Sequence, residues 1–156
     1  MLADLRTRLL RWRLNLFPAF WCTGSRITHL SPDFREVRLR LPLGLRTRNL
    51  VGTIFGGSMY AAVDPVYMLM LMENLDPSYE VWDKAATIRF RRPARETLHA
   101  SFTLDEEELE AIRRAVADQG RVDRVYDVEL AAADGTVHAE VEKVVHVRRR
   151  EEGSEA

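Results

Sequence analysis

The chain has 156 residues, about one domain, which is enough to bury a core without a disulfide or a structural metal. Its single cysteine, Cys22, cannot form an internal disulfide, and no Cys/His cluster has metal-site spacing, so no metal is expected. The 23 basic and 24 acidic residues leave a net charge of −1, which argues against bulk electrostatic binding of nucleic acid.

Residues 2–17 predict an amphipathic helix. Its large apolar residues recur at helical spacing and are expected to pack on the domain or on a partner subunit: Leu2, Leu5, Leu9, Trp12 and Leu16. Four arginines fall largely elsewhere on the helix, which leaves membrane contact through residues 2–17 as an alternative that we do not favour. The segment lacks the continuous apolar core of a secretory signal, so we expect a cytoplasmic protein.

The middle of the chain predicts a second helix at residues 56–75 that is apolar on nearly all sides. Such a helix must be enclosed by other elements, and a membrane span is disfavoured because Gly56-Gly57, Asp64 and Pro65 interrupt it. The flanking segments alternate apolar and polar residues, as half-buried strands do, at 36–41, 81–91, 98–104, 126–130 and 137–147.

A surface helix from Asp105 to Gly120 interrupts these strands, with Asp105 as the predicted N-cap. The order of elements predicts an α+β domain in which one antiparallel sheet curls around one apolar helix. We expect an N-terminal helix at residues 1–20, one domain at 21–150 and a charged tail at 151–156, with fraying from Arg148 onward.

Asp64 is the most unusual residue of the apolar helix, because no other residue between Ile54 and Met72 is charged. An isolated buried carboxylate is costly unless it is paired, hydrogen-bonded or protonated, and such groups are enriched at catalytic sites. Asp64 also precedes Pro65, which is the pattern of a helix N-cap, so a capping role is the alternative to a functional one.

The segment Asn49-x-x-Gly52-x-x-Phe55-Gly56-Gly57, followed by Asp64, resembles the signature of the hotdog-fold acyl-CoA thioesterases of the phenylacetate-pathway (PaaI-like) type. Phe90-Arg91-Arg92-Pro93-Ala94 resembles the stretch that ends the strand after the central helix in that family. The resemblance covers about residues 25–148 and indicates a less characterised branch. It implies a hotdog fold and hydrolysis of an acyl-CoA thioester.

The resemblance also implies roles for individual residues. Asp64 would be the general base or nucleophile, Asn49 would orient the attacking water, and the Gly57 N–H would bind the thioester oxygen. Free N–H groups at a helix start support that last role independently. The residues expected to bind substrate are Phe55, Gly56, Met59, Met68, Arg91 and Arg92. Coenzyme A enters only as part of the substrate, and no cofactor is expected.

The family's sites are shared by two subunits, which implies a homodimer or a dimer of dimers with Asn49 facing the neighbour's Asp64. Phe55 departs from the family, which commonly has His there, and Phe can neither donate a hydrogen bond nor accept a proton. A non-catalytic acyl-CoA or lipid-binding module is therefore the alternative function. Core packing for the methionines, solvation for the arginines and a turn role for Asn49 also remain open.

Overall fold

Six antiparallel strands form one sheet that wraps around two consecutive helices. This computed structural model describes residues 2–150, without the side chains of residues 2–4 and 19. The strands lie in the spatial order β1-β2-β4-β5-β6-β3. The elements are α1 (Leu2–Leu16), α2 (Pro18–Thr23), β1 (Arg26–Leu30), β2 (Glu36–Leu41), α3 (Gly56–Val63), α4 (Val66–Asn74), β3 (Tyr79–Phe90), β4 (Leu98–Thr103), α5 (Glu106–Gln119), β5 (Arg121–Ala131) and β6 (Val137–Arg149).

The core lies between the concave face of the sheet and the pair α3 and α4. Alternation along β4 buries Leu98, Ala100 and Phe102 and exposes the residues between them. From the helices, Val63 and Met70 are fully buried against this face. The predicted α+β architecture, with an antiparallel sheet around an apolar helix, is confirmed.

The surface helix α5 also follows its prediction. Asp105 caps it by accepting a hydrogen bond from the Glu108 N–H at 2.8 Å, and Gly120 ends it in the left-handed region with φ of 77°. The helix packs its buried residues over β5 and β6 on the concave face.

The apolar helix predicted at residues 56–75 is broken into α3 and α4. Pro65 has no N–H to continue the helical hydrogen bonding, so the chain kinks where α3 ends at Val63. No side chain caps the start of α4, so the N-cap role considered for Asp64 is wrong.

The packing predicted for the N-terminal helix is wrong within one chain. Leu5, Leu9, Trp12 and Leu16 are each more than half exposed, whereas Leu10 and Leu14 pack on the core. The reason is that Arg11 and Asn15, beside the exposed apolar residues, bond the backbone of β1 and fix the rotation of the helix. Leu2 lies outside the described side chains.

The two edges of the sheet differ. Asn15 closes the β1 edge by donating to the Ile27 carbonyl at 3.0 Å and accepting from the Ile27 N–H at 2.8 Å, and Arg11 donates to the Thr28 carbonyl at 2.8 Å. At the opposite edge, β3 pairs only with β6 among the described strands. Three of its four exposed central residues are small, Ala85, Ala86 and Thr87, so its outer backbone groups are accessible to another strand.

Smaller differences concern the ends of elements. Pro18 ends α1 as predicted, but it also begins the short helix α2. Phe90 shares the inner face with Ile88 as predicted, yet it is 56% exposed because it covers only the first residue of α3, Gly56, at the end of the helix. The chain is not frayed at Arg148, since β6 runs to Arg149 and the Arg150 N–H bonds the Ser78 carbonyl. The predicted tail at 151–156 lies outside the described residues.

Candidate active site

A buried lysine holds Asp64. Lys143 projects from the inner face of β6, and its ammonium donates to Asp64 Oδ1 at 2.5 Å and to the Tyr60 hydroxyl at 3.4 Å. The same nitrogen lies 3.2 Å from Asp83 Oδ1. The Lys143 side chain is 1% exposed, whereas that of Asp64 is 37% exposed. We call these four residues the Asp64 cluster: Tyr60, Asp64, Asp83 and Lys143.

Burial and charge act together on this cluster. Burial alone would lower the pKa of the Lys143 ammonium, but the hydrogen bond to Asp64 and the charges of both carboxylates outweigh it and raise that pKa. Burial raises the pKa of Asp83, and the nearby ammonium offsets only part of this effect. Burial and a hydrogen bond with Asp64 raise the pKa of Tyr60. Lys143 is therefore a cation and Tyr60 a neutral phenol at neutral pH.

The sequence around Lys143 carries a signal of its partnered burial that strand alternation alone does not reveal. The inner face of β6 is otherwise apolar, with Val141 before and Val145 after this position. A lysine in register with buried valines requires a buried anion, because an unpaired ammonium in a core is costly. Two carboxylates, Asp64 and Asp83, form the ion pairs that this buried ammonium needs.

Asp64 faces an apolar cavity of about 520 Å³ between the N-terminal helices and α4. We call it the Asp64 cavity; its lining includes Phe17 and Phe20 from the N-terminal side and the predicted substrate residue Met68 with Met72 from α4. Its size and its apolar walls, with Thr23 and Asp64 as the polar residues, are typical of sites for small organic ligands.

A second cavity, of about 440 Å³, lies at the start of α3. We call it the glycine cavity. Five of the predicted site residues line it, Asn49, Gly56, Met59, Arg91 and Arg92, and its lining also includes Phe90 and Arg95. Arg91 is paired with Glu140 at 2.6 Å. In the described part of the chain no carboxylate pairs with Arg92 or Arg95, and both are exposed.

Both helix-start glycines lie under aromatic rings. A Cβ on Gly56 would come within 2.7 Å of the Phe90 ring, and one on Gly57 within 2.4 Å of the Phe55 ring. Phe55 is 57% exposed, so it is not packed in the core, and it lines neither cavity. A larger residue at either position would have to displace the tip of an exposed ring, and the first N–H groups of α3 have no acceptor within the helix.

The side chain of Asn49 is occupied by its own loop. Its Oδ1 accepts from the N–H groups of Val51 at 3.1 Å and Thr53 at 3.0 Å, and its Nδ2 donates to the Thr53 hydroxyl at 2.8 Å. Asn49 therefore shapes the loop that precedes α3, and one N–H of its amide is left for a further partner.

The structure does not bring all the predicted site residues together within one chain. Asp64 and Met68 line one cavity, and Asn49, Gly56, Met59, Arg91 and Arg92 line the other. Gly57 lies in the first turn of α3 and Asp64 directly follows its last residue, and seven residues span about 10 Å along a helix axis. Among the side chains that the structure describes, no three His, Cys, Asp or Glu residues form a group that could hold a metal.

None of the described helices is long and apolar enough to cross a membrane.

Solved structures share this architecture. A protein of unknown function from Pseudomonas aeruginosa, described as a probable thioesterase, matches with a TM-score of 0.83 and 24% identity over 92% of this chain and 96% of its own. A thioesterase from Haemophilus influenzae matches with a TM-score of 0.70 and 16% identity over 95% of this chain and 94% of its own. A Chlorobaculum tepidum protein of unknown function matches with a TM-score of 0.73 and 15% identity over 95% of this chain and 97% of its own.

These similarities establish the fold, a hotdog fold of the kind found in thioesterases. The chain belongs to the family described as a domain of unknown function, DUF4442, whose model matches residues 6–147. That match runs from α1 to β6 and so includes both cavities. No curated protein shows detectable similarity to the chain.

Proposed function

We propose that the protein hydrolyses acyl-CoA thioesters by a PaaI-like mechanism, in a site shared by two copies of the chain. The observation that carries the proposal is the Asp64 carboxylate, which a buried ammonium fixes at the wall of an apolar cavity. Lys143 occupies one oxygen of that carboxylate, and a carboxylate has further lone pairs with which to accept a proton from water. The thioesterase names of two structural relatives support the same reaction class.

In the proposed reaction a water molecule attacks the thioester carbonyl carbon while Asp64 accepts one of its protons. The negative charge that develops on the carbonyl oxygen is stabilised by the Gly57 N–H at the start of α3. The carbon–sulfur bond then breaks, and the proton held by Asp64 passes to the leaving sulfur. The products are a carboxylic acid and the free thiol of coenzyme A.

Two observations support a shared site. The separation of about 10 Å between Gly57 and Asp64 in one chain is too long for both to act on one carbonyl group. The sheet has one edge closed by Asn15 and Arg11 and one open edge at β3, so a second copy has a strand to pair with. In such a dimer the glycine cavity of one subunit would face the neighbour's Asp64, with Asn49 beside the attacking water.

Charge supports a place for coenzyme A. Arg92 and Arg95 stand at the glycine cavity without a carboxylate partner among the described residues, and guanidinium groups match phosphate geometry. Arg91 is held by Glu140, which makes it a weaker candidate for phosphate binding. The acyl chain would lie along Met59 or Met68, whose flexible side chains adapt to different chains.

The second candidate is a non-catalytic acyl-CoA-binding module. Phe55 favours the binding module, because this residue stands where the PaaI-like family commonly has His and supplies neither a hydrogen-bond donor nor a proton acceptor. In this case Lys143 and Asp64 would be a structural ion pair at the wall of a ligand cavity. The cytoplasmic location and the absence of a cofactor remain expectations under both candidates.

Turnover of an acyl-CoA panel, followed by release of free thiol, separates the two candidates. For the thioesterase we expect Asp64→Asn to lower the hydrolysis rate by about 10²-fold or more, because positioned base catalysis is lost. Binding of a non-hydrolysable acyl-CoA analogue should change little in the same variant, since Gly57 and the arginines are intact. A wild-type protein that binds the analogue but releases no thiol from any substrate establishes the binding module instead.

A further inference from the structure

The N-terminal helices present a continuous apolar surface to solvent. On α1 it consists of Leu5, Leu9, Trp12 and Leu16, and it continues onto Phe17 and Trp21, with every one of these side chains between 53% and 65% exposed. We call these six residues the N-terminal apolar face. Single exposed apolar residues are ordinary, but a contiguous patch of this kind marks a contact with another protein or with a membrane.

The rest of α1 explains why this face cannot turn inward. Asn15 and Arg11, beside the face, bond the β1 backbone, and Leu10 and Leu14, on the opposite side, pack on the core. Rotation of the helix to bury Trp12 would break these hydrogen bonds and expose both leucines. The fold therefore holds the apolar face outward.

Arginines border the face on both sides. Arg8 lies four residues from Trp12 and Arg13 lies four residues from Leu9, and these two neighbours are on opposite borders of the apolar stripe. Both arginines are exposed, and no carboxylate among the described side chains pairs with them. Arg46 lies over the ring of Trp21 at 4.5 Å and extends the positive border to α2.

The charge is concentrated in this segment. The first 26 residues carry five arginines and one aspartate, although the whole chain has a net charge of −1. Helices that lie in a membrane interface combine leucine, phenylalanine and tryptophan on one face with arginines beside it, whose long side chains reach the headgroups. Anionic headgroups complement the arginines, whereas a two-fold contact between two copies of this face would bring like charges together.

We propose that α1 and α2 dock the protein on an anionic lipid surface through the N-terminal apolar face. The docked orientation places the mouth of the Asp64 cavity at the lipid, because Phe17 belongs both to the face and to the cavity wall. The docking itself does not depend on hydrolysis.

Flotation of the full chain with vesicles tests this proposal. We expect binding to phosphatidylcholine vesicles containing phosphatidylglycerol, at least tenfold weaker binding to phosphatidylcholine alone, and a loss of affinity with added salt. Leu9→Gln/Trp12→Gln removes apolar contact and keeps the charge, whereas Arg8→Gln/Arg13→Gln does the reverse. Each pair should lower affinity by about tenfold or more.

Val125→Gln is the matched control, since Val125 is an exposed apolar residue outside the face and its loss should leave vesicle binding unchanged. Asp64→Asn should also bind vesicles as wild type does, which separates this proposal from the proposed activity. The proposal is overturned if the wild type floats with neither vesicle. It is equally overturned if Leu9→Gln/Trp12→Gln alters the oligomeric mass in sedimentation without altering vesicle binding, because the face is then a protein interface.

Discussion

Two networks of charged side chains reach the concave side of the sheet, and they differ in how fully the carboxylate is occupied. Beside α5, Arg124 donates through Nε and Nη2 to the two oxygens of Glu108, and the Tyr126 hydroxyl donates to Glu108 at 2.8 Å. In the Asp64 cluster, Lys143 donates to one oxygen of Asp64, and the carboxylate faces an apolar cavity. The first network occupies both oxygens of its carboxylate, whereas Lys143 fixes one oxygen of Asp64 and leaves the other lone pairs to accept a proton.

The largest expected effect is that of Lys143→Met. This change leaves Asp83 and the partly exposed Asp64 without their common cation, and because solvent reaches Asp64 the cost is at the low end for a buried pair, about 3 kcal/mol at most. We expect the free energy of unfolding in urea to fall by that amount and thioester hydrolysis to be lost. The triple variant Lys143→Met/Asp64→Asn/Asp83→Asn should recover most of the stability but no activity. Wild-type stability in the single variant would mean that the ammonium is not needed by its two carboxylates.

Glu108→Gln tests the network beside α5, which we expect to contribute to stability but not to activity. The amide loses its charge-assisted bonds with Arg124 and leaves that guanidinium without its carboxylate, which we expect to lower the free energy of unfolding by about 1–3 kcal/mol. The hydrolysis rate measured below the melting transition should stay within about twofold of wild type. A loss of activity as large as that of Asp64→Asn would show that the α5 network belongs to the site.

Asp83→Asn tests whether the ionised carboxylate of Asp83 stabilises or destabilises the folded protein. Burial raises the folded-state pKa of Asp83, so its contribution to stability is fully present below the unfolded value of about 3.9 and is lost as pH rises through the folded value. The variant has no such loss. We expect its stability relative to wild type to increase from about pH 4 to pH 7 in thermal melts. If the variant instead became less stable relative to wild type over that pH range, ionised Asp83 would be a favourable partner of Lys143 and the expectation would be wrong.

Phe55→His has the smallest expected effect. The Phe55 ring is exposed beside Gly57, so an imidazole fits there without disturbing the core and places a donor near the proposed oxyanion site. We expect a few-fold rise in hydrolysis rate with unchanged affinity for coenzyme A. An unchanged or lower rate would mean that Phe55 belongs to the geometry of this site.

The elements were predictable from sequence where their signals are local. Alternation predicted β2 and β4, and Asp105 with Gly120 predicted both ends of α5. The helix break at Pro65 was visible in the sequence as a possible restart of the helix. The strand β1 was not predicted, because its five residues between loops are too few to show a clear alternation. The predicted packing of α1 on its own domain was wrong because its orientation is set by Asn15 and Arg11, whose partners are backbone groups of a strand edge that no helical pattern reveals.

The candidate site was predictable only in part. The isolated charge singled out Asp64, and the resemblance supplied Gly57 and Asn49. Lys143 was missed because its partners come from elements far away in sequence, Asp64 before Pro65 and Asp83 on β3, although its place among inward valines was a usable signal. The N-terminal side of the Asp64 cavity could not be predicted, because it depends on how α1 and α2 lie against α4.

The central claim is that Asp64 of one subunit acts with Gly57 of its partner, and purified hybrid dimers test it most directly. Gly57→Pro removes the N–H donor at a first-turn position where proline is tolerated, and circular dichroism can check that the fold is kept. Two differently tagged chains allow each hybrid to be isolated. One hybrid pairs Asp64→Asn with Gly57→Pro, and the other pairs wild type with a chain that carries both changes.

A shared site predicts about half of wild-type activity for the first hybrid, because one of its two sites keeps both groups, and almost none for the second. Sites contained within one chain require the reverse, with the second hybrid about half active and the first inactive. That reversed pattern would contradict the shared site.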